Sequence, residues 1–289
     1  MVRPWQPGDA DATAALAARY FAPDPPWTAT EALERLTADA LGGGAQVRTV
    51  TRGDRVVGVG GFVRAAPWLY LWPVAADDEE AAGALLDALV AAGRGPGITT
   101  ARVSTRTVEP HKRAAVAARG YARSIDFVAV GRPTAPPLAA PAVAASPRRG
   151  DAIDRAAMHD LHERCFATIA NTAPMSRADF DEYFTASTAW APGTAAWHDA
   201  DDRCVGFTIG VRAPDHRVVE AIGVDPAWRG RGLGLAMLAE LVAAAAAEVA
   251  EVRAVIASTN GASLALHARA GFVEQARKEL WDLALPSAL

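Results

Sequence analysis

Apolar positions along this chain alternate between two spacings, and the changes of spacing recur in the same order twice. A short extended piece from Val2 gives way after Asp9 to a helical pattern through Arg19, with Asp11 or Thr13 as its cap. A second helix is predicted over 30–41. Thr30-x-x-Leu33 offers it no capping box, and Gly42-Gly43-Gly44 stops it. Strands follow over 47–51 and 55–63 around an Arg52-Gly53-Asp54 turn. Next come a strand over 68–74, a helix over 78–92, a strand over 99–104, a helix over 110–119 closed by Gly120, and a strand over 124–130. In the second half, helices are predicted over 151–165 and 177–185, on either side of a small and polar loop over 166–175. Strands over 204–211 and 217–224, a Gly-rich loop and an Ala-rich helix precede a strand over 252–258, a helix over 262–270 and a closing strand over 273–283. This order fits an α+β protein in which each half is a mixed, mostly antiparallel sheet flanked by helices.

The recurrence has near-constant offsets. Val57-Gly58 matches Val205-Gly206 at 148, Val74 matches Val224 at 150, and Gly120-Tyr121 matches Gly271-Phe272 at 151. That is the pattern of an internal duplication. Between the copies, the five prolines of 133–147 suit an extended, semi-rigid linker. The expected domains are therefore 1–132 and 148–289, joined by 133–147.

Composition narrows the class. The chain has 289 residues, 51% hydrophobic and 21% charged, which suits two globular domains rather than a disordered polymer. A net charge of −4 argues against nucleic acid or an anionic membrane as partner. Cys165 and Cys204 have no metal-ligand spacing and the six histidines form no H-x-x-x-H pair, so no metal is expected. The N-terminus has no apolar signal core, and the run 235–249 is interrupted by Glu240 and Glu248; the expectation is a cytoplasmic enzyme. Arginine outnumbers lysine 27 to 2 and alanine is abundant, as in a GC-rich bacterial genome.

Chemistry concentrates after the strand ending Ile222-Gly223-Val224-Asp225. There Pro226 opens a turn, and Arg229-Gly230-Arg231-Gly232-Leu233-Gly234 leads into an amphipathic helix. Glycines let backbone N–H groups approach a ligand at a helix N-terminus, where the dipole favours an anion, and Arg229 and Arg231 add charge. The run has neither the spacing of a dinucleotide fingerprint nor the Lys-Ser/Thr of an NTPase loop. Read as R-x-x-G-x-G after a strand, it resembles the acyl-CoA pyrophosphate loop of the GCN5-related N-acetyltransferase (GNAT) family. The stretch from Asn260 to Phe272 is similar to that family's N-x-x-S/A-x-x-L-Y-x-x-x-G-F segment, with His267 where Tyr is usual.

The resemblance implies a tandem GNAT architecture with acetyl-CoA as co-substrate. It implies that Ile222 and Val224 hold the pantetheine by main-chain groups, one N–H near Ile222 or Gly223 polarising the thioester, that 229–234 bind the pyrophosphate, and that Asn260 lies beside the pantetheine. Gly223 is the expected site of a β-bulge. Strand alternation puts Glu220 on the face of Ile222 and Val224, either as a base acting through water or as a solvent-facing carboxylate. His267 is the candidate acid for the CoA sulfur, or else a helix-surface histidine; Asn260 serves equally well as a helix cap. At the cradle position of the first copy stand Asp77, Asp78, Glu79 and Glu80 with no glycine, so that copy is expected not to bind CoA. The expected function is acetyl transfer to the primary amine of a small molecule by a monomer or homodimer. The alternatives are a silent acyl-CoA sensor and a protein N-terminal or lysine acetyltransferase. Phe166 to Met175, Trp190 and Trp197 are candidate walls of the acceptor site.

Overall fold

The computed structural model describes residues 1–20, 28–106, 109–167, 174–185 and 192–286, with the side chains of 20 and 182–185 outside the description. Trp190 also lies outside the described residues. In chain order the elements are β1 (Val2–Pro4), α1 (Ala10–Tyr20), α2 (Ala29–Leu36), β2 (Val47–Arg52), β3 (Arg55–Ala65), β4 (Trp68–Ala76), α3 (Glu79–Gly93), β5 (Thr100–Arg106), α4 (Pro110–Ala118) and β6 (Ala122–Pro133). They continue as β7 (Ser146–Arg148), α5 (Arg155–Phe166), α6 (Arg177–Thr185), β8 (Ala195–His198), β9 (Cys204–Arg212), β10 (Arg217–Val224), α7 (Leu233–Ala245), β11 (Glu251–Ala257), α8 (Gly261–Arg269) and β12 (Val273–Ala284).

The chain forms two compact units, Met1–Asp126 with Arg277–Leu289, and Phe127–Ala276. In the first unit the strands run β1-β2-β3-β4-β5-β12, and in the second β7-β8-β9-β10-β11-β6. Both are antiparallel apart from one parallel pair in the same place, β4 with β5 and β10 with β11. Each unit thus takes its last strand from the other sequence repeat: residues 278–284 of β12 pair with β5, and residues 127–133 of β6 pair with β11. The proline-rich stretch 133–147 lies inside the second unit, where Thr134 donates to the carbonyl of Val249 at 3.1 Å and Leu138, Val143 and Ala145 pack on the core.

The register confirms the duplication and adjusts one offset. Gly58 faces Ala76 as Gly206 faces Val224, and Asp77 donates to Val57 as Asp225 donates to Val205, at 2.9 and 3.0 Å. The offset through these strands is 148 throughout, so the counterpart of Val224 is Ala76, and Val74 corresponds to Ile222. Two valines two residues apart had suggested 150.

Three local features differ from the sequence expectation. α2 starts at a capping box two residues upstream of Thr30: Thr28 Oγ1 accepts from Glu31 N at 3.1 Å, and Glu31 Oε2 accepts from Thr28 N at 2.7 Å. α2 then ends at Leu36, and a tighter helical turn covers Asp39–Gly44. β8 was not foreseen because it has four residues, all buried, and no alternation to read.

In the second unit the sheet separates two apolar layers. Val219, Leu238, Leu241, Val242, Val252 and Phe272 form the α7/α8 side; Met158, Leu161, Phe180, Phe207, Ile209 and Ala221 form the α5/α6 side. Gly223 faces the latter, and a Cβ there would sit 2.3 Å from a ring carbon of Phe207 and 3.1 Å from the Cys165 sulfur. Gly223→Ala is expected to cost about 1–3 kcal/mol by overpacking, measurable as a melting temperature several degrees below that of the parent.

Candidate functional site

β10 and β11 are hydrogen-bonded in register only from Arg217↔Val252 to Val219↔Ala254, after which no pairing continues. The break coincides with a bulge on β10, where Val219 faces Gly210 and Ala221 already faces Ile209, leaving Glu220 as the extra residue. The bulge is therefore at Glu220, not at Gly223. It also overturns the simple alternation expected for this strand: Val219, Ile222 and Val224 all pack toward α7, so Glu220 and Ala221 both fall between two residues of one face, and Glu220 does not share the face of Ile222 and Val224.

The same register assigns the main-chain directions. Asp225 N–H points to β9, so by strand periodicity Gly223 does too, and the N–H and C=O groups of Ile222 and Val224 turn into the split. Of the two N–H groups proposed for the thioester, that of Ile222 faces the split and that of Gly223 does not. The split opens into a groove of about 170 Å³ lined by Phe127, Phe166, 219–222, 254–257, Asn260, Ser263 and His267. It brings together the predicted Glu220, Ile222, Asn260 and His267. Trp197 packs instead with Leu233 and Met237, away from this lining.

At the far end of β10, a turn of three residues, Pro226–Trp228, and the loop to Arg231 lead to α7, whose N-cap Gly232 has φ +84° and no capping side chain. Gly230 has φ +75° and no atom within 4 Å of a would-be Cβ. Both glycines are in the left-handed region that L side chains resist. The first-turn N–H groups of α7 therefore have no intrahelical acceptor and meet the positive end of the helix dipole. Arg231 lies over the Trp228 ring at 5.2 Å, and Arg229 Nε donates to Val224 O at 3.2 Å. An open helix N-terminus, left-handed glycines and exposed guanidinium groups suit a pyrophosphate.

His267 is 2% exposed, so it is not a helix-surface residue. Its Nδ1 is 2.9 Å from the carbonyl oxygen of Ser263, which can only accept, so Nδ1 carries the proton and Nε2 holds a lone pair. Nε2 is buried with no hydrogen-bond partner. Burial holds the pKa of His267 below the ordinary histidine value, partly offset by the Ser263 bond. Asn260 does cap α8, its Oδ1 accepting from Ser263 N at 3.1 Å, while also lining the groove.

The first unit shows what happens to the same framework without the loop. β4 bulges at Trp72-Pro73, and β4 and β5 are paired only up to Leu71↔Val103. Yet Asp78 directly caps α3, accepting from Ala81 N at 2.9 Å, so six residues corresponding to Pro226 through Arg231 are missing. A carboxylate of the chain occupies the helix N-terminus, and Arg52 pairs with Asp78 and Glu80 while Arg19 and Arg55 pair with Asp77. Lys112 Nζ donates to Val74 O at 3.0 Å and to the Glu109 carboxylate. Val74 corresponds to Ile222, so an internal amine holds a carbonyl that faces the split in the second unit. Burial lowers the Lys112 pKa, opposed by Glu109.

Among the described residues no group of three His, Cys, Asp or Glu side chains is placed to hold a metal ion, and no helix is long and apolar enough to cross a membrane.

A bulged, parting strand pair followed by an uncapped glycine cradle defines the class of acyl-CoA-binding transferase folds. Residues 155–272 match the family described as "Acetyltransferase (GNAT) family", so the second unit carries a domain of the GNAT family. The chain is 32% identical over 203 residues to a protein named mycothiol acetyltransferase from Clavibacter michiganensis subsp. michiganensis (strain NCPPB 382), a match spanning 67% of this chain and 64% of that relative's length. A GCN5-related N-acetyltransferase from Sphaerobacter thermophilus shares the fold at a TM-score of 0.80 and 21% identity, over 100% of this chain and 96% of that one. A tandem GNAT protein from the clavulanic acid biosynthesis pathway does so at 0.68 and 19%, over 100% and 99%.

Two outcomes follow. Titration calorimetry should give one CoA site per chain, since the first unit's cradle and split are filled by Asp78 and Lys112. Stability should fall as pH drops below about 6.5, because burial holds His267 and His162 below their unfolded pKa and the unfolded chain takes up protons that the fold resists. Denaturant melts between pH 7.5 and 5.5 would show this, with a shallower slope in His267→Gln.

Proposed function

We propose that this protein is an acyl-CoA-dependent N-acetyltransferase that moves the acetyl group of acetyl-CoA to a primary amine of a small molecule, in a ternary complex formed on the second unit. The observation that carries the reading is the conjunction, in one copy only, of main-chain groups of Ile222 and Val224 turned into a split sheet and an open glycine cradle immediately beyond it. The name of the curated relative is that of a small-molecule acetyltransferase, which supports the choice of acceptor.

Acetyl-CoA supplies an activated thioester; the residues supply position and proton handling. The N–H groups at the start of α7, with Arg229 and Arg231, hold the pyrophosphate, and Ile222, Val224 and Asn260 align the pantetheine along the groove. The Ile222 N–H is placed to stabilise negative charge on the thioester oxygen. An amine arrives as an ammonium and needs a neutral nitrogen. Glu220, at the bulge and on the groove wall, takes that proton through a water.

His267 as found cannot donate from Nε2, which carries no proton. It acts as the acid after first acting as an acceptor: Nε2 takes the remaining surplus proton from the nitrogen as the C–N bond forms and returns it to sulfur as the C–S bond breaks. A lowered pKa keeps that lone pair available at neutral pH.

Thiol release from acetyl-CoA should appear in a screen of aminoglycosides, amino sugars, amino acids and peptides. Release with none of them, alongside tight CoA binding, would make the protein a silent binder, and release with peptides alone would move the acceptor class to proteins. Glu220→Gln and His267→Ala should each lower kcat at least tenfold with acetyl-CoA binding retained; unchanged turnover in either removes that residue from the mechanism.

A further inference from the structure

The proline- and alanine-rich stretch between the repeats is laid on the second unit in an ordered way. From 141 to 147, every second residue is turned inward: Pro141, Val143, Ala145 and Pro147 are half-buried, and Ala142, Ala144 and Ser146 are exposed. That is the period of an extended strand with one face against the protein, and it runs into β7, which pairs with β8 from Ser146↔His198. Val143 and Ala145 pack on the apolar cluster that contains Leu233, Ala236 and Met237, the same cluster on which Val224 and Trp228 pack. Pro141 reaches the cap of α7, with its Cγ 3.3 Å and Cβ 3.5 Å from where a Cβ of Gly232 would stand, and Val143 Cγ1 at 3.9 Å.

We propose that Pro141 and Val143 are positioning residues for the acyl-CoA pyrophosphate, a strap that holds the glycine cradle in its binding conformation. The inference rests on the function proposed above. Its physical basis is that the start of the cradle is held by the capped turn at Pro226–Trp228 and by Arg229 on the Val224 carbonyl, whereas its glycine end has no such side-chain bonds among the described residues. Six residues, Pro226 through Arg231, are added relative to the first repeat, Gly230 touches nothing with its would-be side chain, and Gly232 has a left-handed φ and no capping side chain. Glycines in such a loop lose much backbone freedom when ordered. A rigid ring seated on Gly232 and a β-branched side chain packed on the cluster of Leu233 beside it restrict the loop before the ligand arrives, so less of the binding energy is spent on ordering it. Pro141 and Val143 are not among the residues that line the groove with Glu220 and His267, so their influence should fall on the co-substrate and spare the chemical step.

The test compares Pro141→Gly and Val143→Ala, singly and together, with the outward-facing controls Ala142→Ser and Ala144→Ser. CoA binding is measured by calorimetry, acetyl-CoA and amine kinetics by thiol release, and the unliganded melting temperature alongside. The double variant is expected to bind CoA at least fivefold more weakly and to show a matching rise in KM for acetyl-CoA. KM for the amine and kcat at saturation should stay within twofold, and Val143→Ile should behave like the parent. Unchanged CoA affinity in a folded double variant overturns the strap, as does an equal effect of the control substitutions. A merely structural role would lower the melting temperature and kcat together, and should the double variant not fold, Val143→Ala alone decides by the same readouts. If the parent protein itself fails to bind CoA, the functional reading fails first, and the two failures are thereby distinguished.

Discussion

Everything in the second unit depends on the parting of β10 from β11. A parallel pair that stayed bonded would satisfy the main-chain groups of Ile222 and Val224 with β11 and leave no groove. The added residue Glu220 breaks the register three residues into the pairing, and main-chain groups of β10 that β11 would have bonded then face a cleft, the Val224 carbonyl accepting from Arg229. The insertion also re-aims the side chains: Glu220 leaves the α7 face, while Ile222 and Val224 regain it. One extra residue thus sets a carboxylate apart from the face of Ile222 and Val224 and keeps both on the same short strand.

The first unit is a useful contrast because it keeps the parting and lacks the glycine loop. Its β4 bulges at the corresponding place, but the chain passes from strand to helix without the six-residue loop, and the freed groups are satisfied internally by Asp78 at the helix start and Lys112 in the split. Unsatisfied buried polar groups are costly, so side chains that reach the groups freed by the parting stabilise this unit. The two charges found there are a carboxylate at the helix start and an amine on the Val74 carbonyl.

Much of this was legible in the sequence. The helices and most strands followed from spacing, the duplication from landmarks near a shift of 150, and the cradle from Arg229 to Gly234. What was missed has identifiable physical origins. A bulge leaves no signature in the residues that form it, so alternation placed Glu220 on the wrong face and Gly223 was given a role that belongs to close packing against Phe207. The tautomer of His267 is set by a carbonyl four residues away and burial by neighbours such as Phe272, with the rings 5.0 Å apart, neither of which periodicity reports. The prolines of 133–147 suggested a spacer because composition describes stiffness and not what a stiff segment lies against. The cap of α2 at Thr28 and Glu31 was in plain view two residues upstream of where it was sought.

The exchange of last strands between the repeats bears on how the molecule comes into being. Residues 278–284 complete the sheet of the first unit, so the chain must be synthesised through the whole of the second unit before that sheet has its final strand. Until then β5 presents an unpaired edge, the kind of template that recruits a strand from elsewhere. β6, the last strand of the first repeat, is already available at that moment, yet its residues 127–133 are destined for β11. The nascent protein therefore passes through a stage in which a neighbouring strand of similar pattern competes for a place reserved for one not yet made, and the order of synthesis runs against the order of pairing.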